Sequence, residues 1–336
     1  MPIQLKPLEE QTLVITGASS GIGLATALEA ARRGARLVLA SRDPAGLEEA
    51  AEQCRAEGAG VETVVADVAE RAAMDRVAER ATERFGGFDT WVNNAGVSVY
   101  GEIKDVPLDD ARGVFETNYW GVVHGSLVAA EHARGRSGEY GLALINVGSV
   151  LSDRAIPLQG YYSASKHAVK GFTDALRMEL EKEGLPVSVT LVKPNATDTP
   201  YPEHAGNYMA EEASLPEPTY APEVVARAIL SAAERPVRDV TVGAKDGLLA
   251  ALGTILPGVT DKIMEALMFD QQKEDARFSG DRQGTIFEPD AGNGRVHGDA
   301  DHVLQSSLYT QAQLHPLLTA GAAVGAGLAL FALARR

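Results

Sequence analysis

One turn near the start of the chain narrows the possible folds more than any other stretch. A β-rich run at 12–16 leads into Thr16-Gly17-Ala18-Ser19-Ser20-Gly21-Ile22-Gly23, and a helical pattern follows over 22–33. Glycine tolerates the positive φ of a tight turn and leaves room for a bound group against the backbone. The helix N-terminus adds unbonded N–H groups and positive potential, which suit a phosphate. Glycine-rich loops serve many purposes, so the turn alone says little. Placed between the first strand and first helix of a repeating βα series, it predicts a site for the pyrophosphate of a dinucleotide.

That series is visible along the chain. Further β-rich runs at 37–40, 61–66, 89–93, 143–147, 187–192 and 240–242 alternate with helical patterns, among them 47–57, 71–85 and 161–182. Several runs are apolar at consecutive positions, as in a parallel sheet covered on both faces. Gly34, Gly58, Gly86 and Gly184 stand just past four of the helices, where chains leave in left-handed geometry. The predicted fold class is α/β: a doubly wound parallel sheet of about seven strands with right-handed crossovers and a C-terminal helical extension. A length of 336 residues suffices for such a core, and 45% hydrophobic residues exclude wholesale disorder. The expected organisation is a dinucleotide-binding and catalytic domain over 1–246, then an amphipathic helical extension over 247–269 interrupted at Pro257-Gly258. A flexible linker over 270–315, rich in Asp, Gly, Gln and Arg, and a candidate transmembrane anchor over 316–334 complete it.

Charge and cysteine content remove other functions. A formal net charge of −15 argues against a nucleic-acid partner, which needs a basic face. The lone Cys54 excludes an internal disulfide framework and cysteine-rich zinc sites. The 7 histidines form no HExxH pair, so no metal is expected. No apolar signal-peptide core follows Met1, so the chain reads as not secreted.

The glycine spacing is Gly17-x-x-x-Gly21-x-Gly23 rather than Gly-x-Gly-x-x-Gly. With Asp67-Val68, Asn93-Asn94-Ala95-Gly96, Asn118, Ser149 and Tyr162-Ser163-Ala164-Ser165-Lys166, in that order over about residues 8 to 245, the sequence resembles the short-chain dehydrogenase/reductase family. The resemblance implies a Rossmann-type fold and an oxidoreductase transferring a hydride between a nicotinamide cofactor and a carbonyl or alcohol. Thr16, Gly17, Ser19, Ser20, Gly21, Ile22 and Gly23 would then hold the pyrophosphate side. Asp67 would contact the adenine with Val68 packed beside it, although a carboxylate after a strand equally caps the next helix. Asn94, Ala95 and Gly96 would shape the cleft, and Pro194, Thr197 and Thr199 would lie at the nicotinamide. Asn195 stands where the family usually has glycine, and asparagine's tolerance of left-handed backbone is expected to keep that loop.

The end of the second strand reads Ala40-Ser41-Arg42-Asp43. NAD-using folds usually place a carboxylate there for the ribose 2′-hydroxyl. Ser41 would not repel a 2′-phosphate, and Arg42 offers a planar donor fork, so NADP(H) is preferred. NAD(H) remains possible if Arg42 is a solvated loop charge and Asp43 serves the ribose.

Tyr162 and Lys166, four apart on a predicted helix, share one face. A nearby ammonium favours the phenolate and brings a tyrosine towards the range of a usable acid and base. By resemblance Tyr162 is the general acid and base, and Lys166 lowers its pKa and holds the nicotinamide ribose. Ser149 would donate to the substrate oxygen, and Asn118 would position a water in the proton relay. Tyr161 is turned off the shared face, and His167 is read as a wall or packing residue.

Residues 199–222, with Tyr201, His204, Tyr208 and Met209, read as a mobile lid over the substrate. Val97, Val99, Leu151 and Ile156 could line an apolar pocket or pack in the core, which gives a preference for a hydrophobic ketone or aldehyde. Residues 317–334 carry Gly321-Ala322-Ala323-Val324-Gly325, a pattern that permits close helix pairing in lipid. The expectation is a single-pass C-terminal anchor, with membrane lipid as partner and the catalytic domain cytoplasmic; a helix lying on the membrane is the alternative. A homo-oligomer through the helices carrying Asn118 and Tyr162 is implied by the resemblance. The competing functions are an NAD-linked alcohol dehydrogenase and a non-catalytic, nucleotide-sensing membrane scaffold. The complete group of Asn118, Ser149, Tyr162 and Lys166 speaks against the scaffold.

Overall fold

The computed structural model describes residues 3–136, 138–243, 253, 255–289, 294–315 and 319. The apolar runs become β1 (Thr12–Thr16), β2 (Arg36–Ser41), β3 (Val61–Val65), β4 (Thr90–Asn93), β5 (Leu142–Val147), β6 (Val187–Pro194) and β7 (Asp239–Val242). All pair in parallel, in the order β7-β6-β5-β4-β1-β2-β3. In register, Thr16 lies opposite Ala40, and Val147 opposite Val192.

Between the strands run α1 (Gly21–Arg32), α2 (Pro44–Ala56), α3 (Arg71–Phe85), α4 (Leu108–Phe115), α5 (Gly121–Gly135), α6 (Gly160–Glu183) and α7 (Pro222–Glu234). Successive residues of β1 face opposite sides. Leu13 and Ile15 pack with Leu24, Leu47 and Val225 of α1, α2 and α7, whereas Val14 packs with Met74, Val128 and Leu176 of α3, α5 and α6. A sheet covered on both faces explains why its strands are apolar without alternation. Gly86 and Gly184 close α3 and α6 at φ of 81° and 80°, as their positions past the helical pattern predict.

A buried polar chain crosses the second layer. Trp91 Nε1 donates to Asn93 Oδ1 (2.8 Å), Asn93 Nδ2 to Asn146 Oδ1 (2.8 Å), and Asn146 Nδ2 to Thr173 Oγ1 (2.9 Å). Unpaired, each of these buried amides would cost about 1–3 kcal/mol, so the chain fixes β4, β5 and α6 relative to one another. Those elements carry the site.

The segment after β7 differs from its reading as a linker. Pro257-Gly258 opens α8 (Pro257–Gln271) with proline at its first turn, where the missing N–H is harmless, and residues 253 and 255 before the break at Leu256 are helical as well. Residues 247–252 lie outside the described residues. The stretch expected to be a flexible linker lies on the domain. Lys273–Arg277 pairs antiparallel with Glu211–Ala213, and Val303–Leu304 pairs parallel with Thr219–Tyr220. Ile286 is 2% exposed among Val99, Val106 and Val114, and α9 (Leu308–Leu314) bonds to β7 through Gln313 and Thr310. Backbone pairing and a single buried isoleucine do most of this anchoring, and neither is visible in composition.

The expected membrane anchor is corrected. No helix among the described residues is long and apolar enough to cross a membrane, and 316–334, apart from Thr319, lie outside them. With the anchor go the membrane location and the lipid partner that rested on it. The expectation leaned on alanine and glycine, which contribute little transfer free energy.

Candidate active site

The sheet order reverses between β1 and β4, and a cleft of about 300 Å³ opens beyond their carboxyl ends. Its nucleotide end is built on close backbone contact. Gly17 has φ of 63°, and a Cβ there would come 2.7 Å from Ala95 Cα. A Cβ on Gly23 would come 2.0 Å from the Gly17 carbonyl oxygen. Thr16 fastens the facing wall: its hydroxyl accepts from the N–H groups of Asn94 (3.0 Å) and Ala95 (3.1 Å) and donates to the Val92 carbonyl (3.3 Å). Asn94 Nδ2 donates back to the carbonyls of Thr16 and Gly17. Thr16 and Gly23 thus stand behind the turn, while Gly17, Ser19, Ser20, Gly21, Ile22, Asn94, Ala95 and Gly96 line the cleft.

At the end of β2 the Ser19 and Ser41 hydroxyls lie 2.9 Å apart. Asp43 caps α2, accepting from the N–H groups of Ala45 and Gly46 at 3.0 Å each, so its carboxylate is committed. Asp67 does not cap α3, which starts after Glu70: its Oδ1 accepts from Ala69 N (2.9 Å) in the preceding turn, and the side chain lines the cleft with Val68, Oδ2 lying 3.9 Å from Arg42 Nη1. Arg42 has a contact that its sequence position does not announce. Nη1 donates to the carbonyls of Ile286 (3.2 Å) and Phe287 (3.0 Å), and Nη2 to that of Thr285 (2.6 Å). These belong to a strap that roofs this end of the cleft with Thr285, Pro289 and Gly294; farther on, the Arg295 carbonyl accepts from Gly21 N (2.9 Å).

The other end gathers Ser149, Tyr162 and Lys166. Ser149 ends the loop after β5, and its Oγ accepts from Leu151 N (3.1 Å), which leaves its O–H to donate into the cleft. Tyr162 shares the cleft with Ser149 and stands edge-on to Tyr201 from the lid, ring centroids 5.7 Å apart. Lys166, one turn along α6, donates to the Val147 carbonyl (2.9 Å) and stands 5.6 Å from the Tyr162 ring centroid. Burial pushes the Tyr162 phenol above its ordinary value, against which the hydrogen bonds from Tyr201 and Ser149 pull it down. Burial also pushes Lys166 down to about 8. The phenol is therefore raised here rather than lowered, because desolvation outweighs the pull of Tyr201 and Ser149.

Asn118 sits behind the cleft wall, fully buried, in a five-residue π turn (Glu116–Trp120) between α4 and α5. Its amide accepts from Val97 N (2.8 Å) and donates to the Val97 carbonyl (2.9 Å) and to Ser165 Oγ (3.1 Å), tying β4 to α6. Pro194, Thr197 and Thr199 line the cleft. Asn195 does so without left-handed geometry: among the described residues Leu158 is the non-glycine residue with positive φ, 65°. Val97, Leu151 and Ile156 line the substrate side, but Val99 is buried in the core with Ile286. Of the lid residues, Tyr201 and His204 face the cleft; Tyr208 bonds Asp110, and Met209 is buried beside Tyr100. His167 bonds the Ser163 carbonyl (2.8 Å), and Tyr161 reaches the Ile103 carbonyl, both away from the cleft.

Sequence reasoning missed Gln159 and Gln272. Tyr201 Oη donates to Gln159 Oε1 (3.1 Å), and Gln159 Nε2 donates to Gln272 Oε1 (2.7 Å). The left-handed Leu158 turns Gln159 inward, and Gln272 arrives from the end of α8; no local motif marks either.

The donor set fits a nicotinamide dinucleotide. Glycines keep the turn at the α1 N-terminus open where a Cβ would collide, an arginine fork and two hydroxyls stand at the ribose end, and a buried lysine lies beside the phenol at the other.

Comparison with known proteins agrees. The family model of short chain dehydrogenases matches residues 11–208. A protein of Bacillus subtilis (strain 168), "Uncharacterized oxidoreductase YxnA", is 42% identical over 335 residues, 99% of this chain and 93% of that one. A short chain dehydrogenase/reductase from Burkholderia phymatum in complex with NAD superposes with a TM-score of 0.63 at 26% identity, covering 82% of this chain and 100% of that one. An alcohol dehydrogenase from the archaeon Thermococcus sibiricus complexed with 5-hydroxy-NADP gives 0.60 at 25% identity, covering 69% and 95%. A family match over more than half the chain, with such a relative along nearly all of it, leaves one conclusion: the chain belongs to the short-chain dehydrogenase/reductase family, oxidoreductases acting on CH–OH and C=O groups.

Proposed function

We propose that this protein is an NADP(H)-dependent carbonyl reductase, or the reverse alcohol dehydrogenase, acting on a hydrophobic ketone or aldehyde. The observation that carries the reading is the convergence of Ser149, Tyr162 and Lys166 at one end of a cleft whose other end fits a dinucleotide. When bound, the nicotinamide supplies or takes the hydride. Ser149 directs its free O–H at the substrate oxygen, where negative charge grows during reduction. Tyr162 gives its phenolic proton to that oxygen in reduction and takes it back in oxidation. Lys166 would hold the nicotinamide ribose hydroxyls, and its ammonium favours the phenolate. Asn118, its side chain committed to Val97 and Ser165, keeps the end of β4 against α6 and so acts by position. Val97, Leu151, Ile156 and Leu215 give the substrate side an apolar wall.

NADP(H) is supported by the lack of an uncommitted carboxylate at the end of β2, where Ser41 stands and Asp43 is used as a cap. The NAD-linked reading draws on the strap carbonyls that already take donors of Arg42. Self-association through α5 and α6 is supported by their exposed Leu127 and Met178.

The test is NADPH oxidation against small, bulky and long-chain carbonyls. Tyr162→Phe is expected to lower turnover at least about 100-fold while leaving NADPH binding intact. Turnover that survives in Tyr162→Phe would overturn the assignment of the proton to Tyr162, and no turnover in either direction would favour a nucleotide-binding scaffold.

A further inference from the structure

Tyr162 is not alone at the proton-handling end. Tyr201 comes down from the lid with its ring edge-on to that of Tyr162, centroids 5.7 Å apart, and edge-on to Tyr100 at 6.3 Å. Behind it runs a chain of two buried amides whose polarity the backbone fixes. Gln272 Nε2 donates to the carbonyls of Pro157 (2.9 Å) and Met268 (2.8 Å), so its Oε1 must be the atom facing Gln159. Gln159 Nε2 fills that acceptor at 2.7 Å, which turns Gln159 Oε1 towards Tyr201. Tyr201 has one hydroxyl hydrogen, and here it goes to Gln159. Its oxygen is left to act as an acceptor, and its ring meets that of Tyr162 edge-on.

This arrangement suits a neutral Tyr162 and fails a phenolate. Once Tyr162 has lost its proton, two acceptors, Gln159 Oε1 and the phenolate, compete for the single Tyr201 hydrogen. The charged one forms the stronger bond.

We propose that Tyr201 is a positioning residue for Tyr162: its hydroxyl hydrogen rests on Gln159 while Tyr162 is protonated and turns to the Tyr162 oxygen when that phenol has ionised. The proposal rests on the reading of Tyr162 as the proton donor. In reduction the Tyr162 O–H bond breaks and the substrate oxygen gains that proton; the Tyr201 O–H bond stays intact and changes only its acceptor. Gln272, which holds the resting position, belongs to the chain after β7, so the extension reaches the chemistry through Gln159.

The groups facing Tyr162 are Lys166 on its own helix, Ser149 from the loop after β5, Tyr201 from the lid and Tyr100 behind it. Those facing Tyr201 are Tyr162, Tyr100, Ser98 and Gln159. Two substitutions therefore have opposite signs. Tyr201→Phe keeps both ring contacts and removes the only phenol able to donate to the Tyr162 phenolate, so the Tyr162 midpoint rises by about one pH unit or more. Gln159→Leu removes the competing acceptor and frees the Tyr201 hydrogen, so the midpoint falls, by up to about one unit.

The experiment has two readouts on the full-length protein. Ultraviolet difference titration of tyrosinate, each variant against the same variant carrying Tyr162→Phe, follows Tyr162 without cofactor. The pH profile of kcat/KM follows it during turnover. Opposite shifts in both readouts are expected. Unshifted midpoints, or shifts of one sign in both variants as general loosening would give, overturn the proposal while the loss of turnover in Tyr162→Phe leaves the parent reading standing. Turnover retained by Tyr162→Phe overturns both.

Discussion

Replacing Arg42 by leucine separates the two cofactor readings, and the structure sets the size of the effect. A guanidinium has five N–H donors. The carbonyls of Thr285, Ile286 and Phe287 take one each, which leaves two, Nε–H and one on Nη2. Nε and Nη2 lie on the same side of the guanidinium, the side that grips an oxyanion in bidentate fashion. The strap thus orients Arg42 without exhausting it. A charge-assisted bond to a 2′-phosphate contributes about 1.5–3 kcal/mol net, so Arg42→Leu should weaken NADPH binding about 10- to 150-fold. NADH has no 2′-phosphate and should bind within about twofold of wild type. Calorimetric titration of both cofactors, with thermal unfolding as a fold control, gives the comparison. NADPH affinity unchanged in Arg42→Leu, or NADH affinity falling as far as that of NADPH, would refute the assignment of Arg42 to the phosphate.

Two further expectations are sharp. Gly23→Ala puts a methyl 2.0 Å from the Gly17 carbonyl oxygen and 2.7 Å from Asn94 Nδ2, both held by the wall behind the turn. Binding of either cofactor should fall at least about 100-fold, with unfolding lowered by about 1–3 kcal/mol as in other overpacked sites, and wild-type affinity would contradict the contact. Lys166→Met tests linkage. Lys166 titrates at about 8 in the fold against an ordinary 10.5, so the unfolded chain binds the extra proton and wild type gains stability as pH rises through that window. Below pH 8 the wild type carries the full cost of the buried charge. The stability of Lys166→Met relative to wild type should therefore decline between about pH 8 and 10.5, and a flat difference would refute a buried, pKa-shifted lysine.

Much of the sheet was legible because its strands, buried on both faces, are continuous apolar runs. The run at 37–40 needed only Arg36 and Ser41 to become β2, and 240–242 only Asp239 to become β7. Tyr162 and Lys166 were legible because helical spacing fixes a shared face, and Gly17 because backbone approach excludes a side chain. Ser149 is singled out by the family resemblance, with its place after a strand as context. What failed had no local signal. Ile286 and Phe287 are a lone apolar pair in a polar stretch, and the burial of Ile286 depends on Val99, Val106 and Val114, more than 170 positions away. For Val99 the sequence leaves pocket and core open, because periodicity cannot tell which buried face meets the cleft, and the structure places it in the core. Gln159 and Gln272 form a buried pair separated by 113 positions, and either alone reads as a polar loop residue. The 316–334 stretch misled because absence of charge was given more weight than the weak apolarity of alanine and glycine.

The family match ends at residue 208, and the chain continues to make contacts with the cleft after it. The C-terminal segment returns to both ends of the cleft: Gln272 to the amide chain behind Tyr201, and Thr285, Ile286 and Phe287 to Arg42. Fourteen positions on from Ile286, Ala300 N donates to Asp198 Oδ1 (3.2 Å), fastening the chain there to the loop after β6. A return this long adds little closure entropy, because that cost grows only with the logarithm of length. Its grip on Arg42 is made of neutral carbonyls, which form weaker bonds than a phosphate would. A 2′-phosphate can therefore share or displace the strap at Arg42, whereas a cofactor lacking it leaves the strap where it lies. The same three carbonyls that seem to favour NAD by occupying Arg42 thereby make the strap sensitive to the one group that separates the two cofactors.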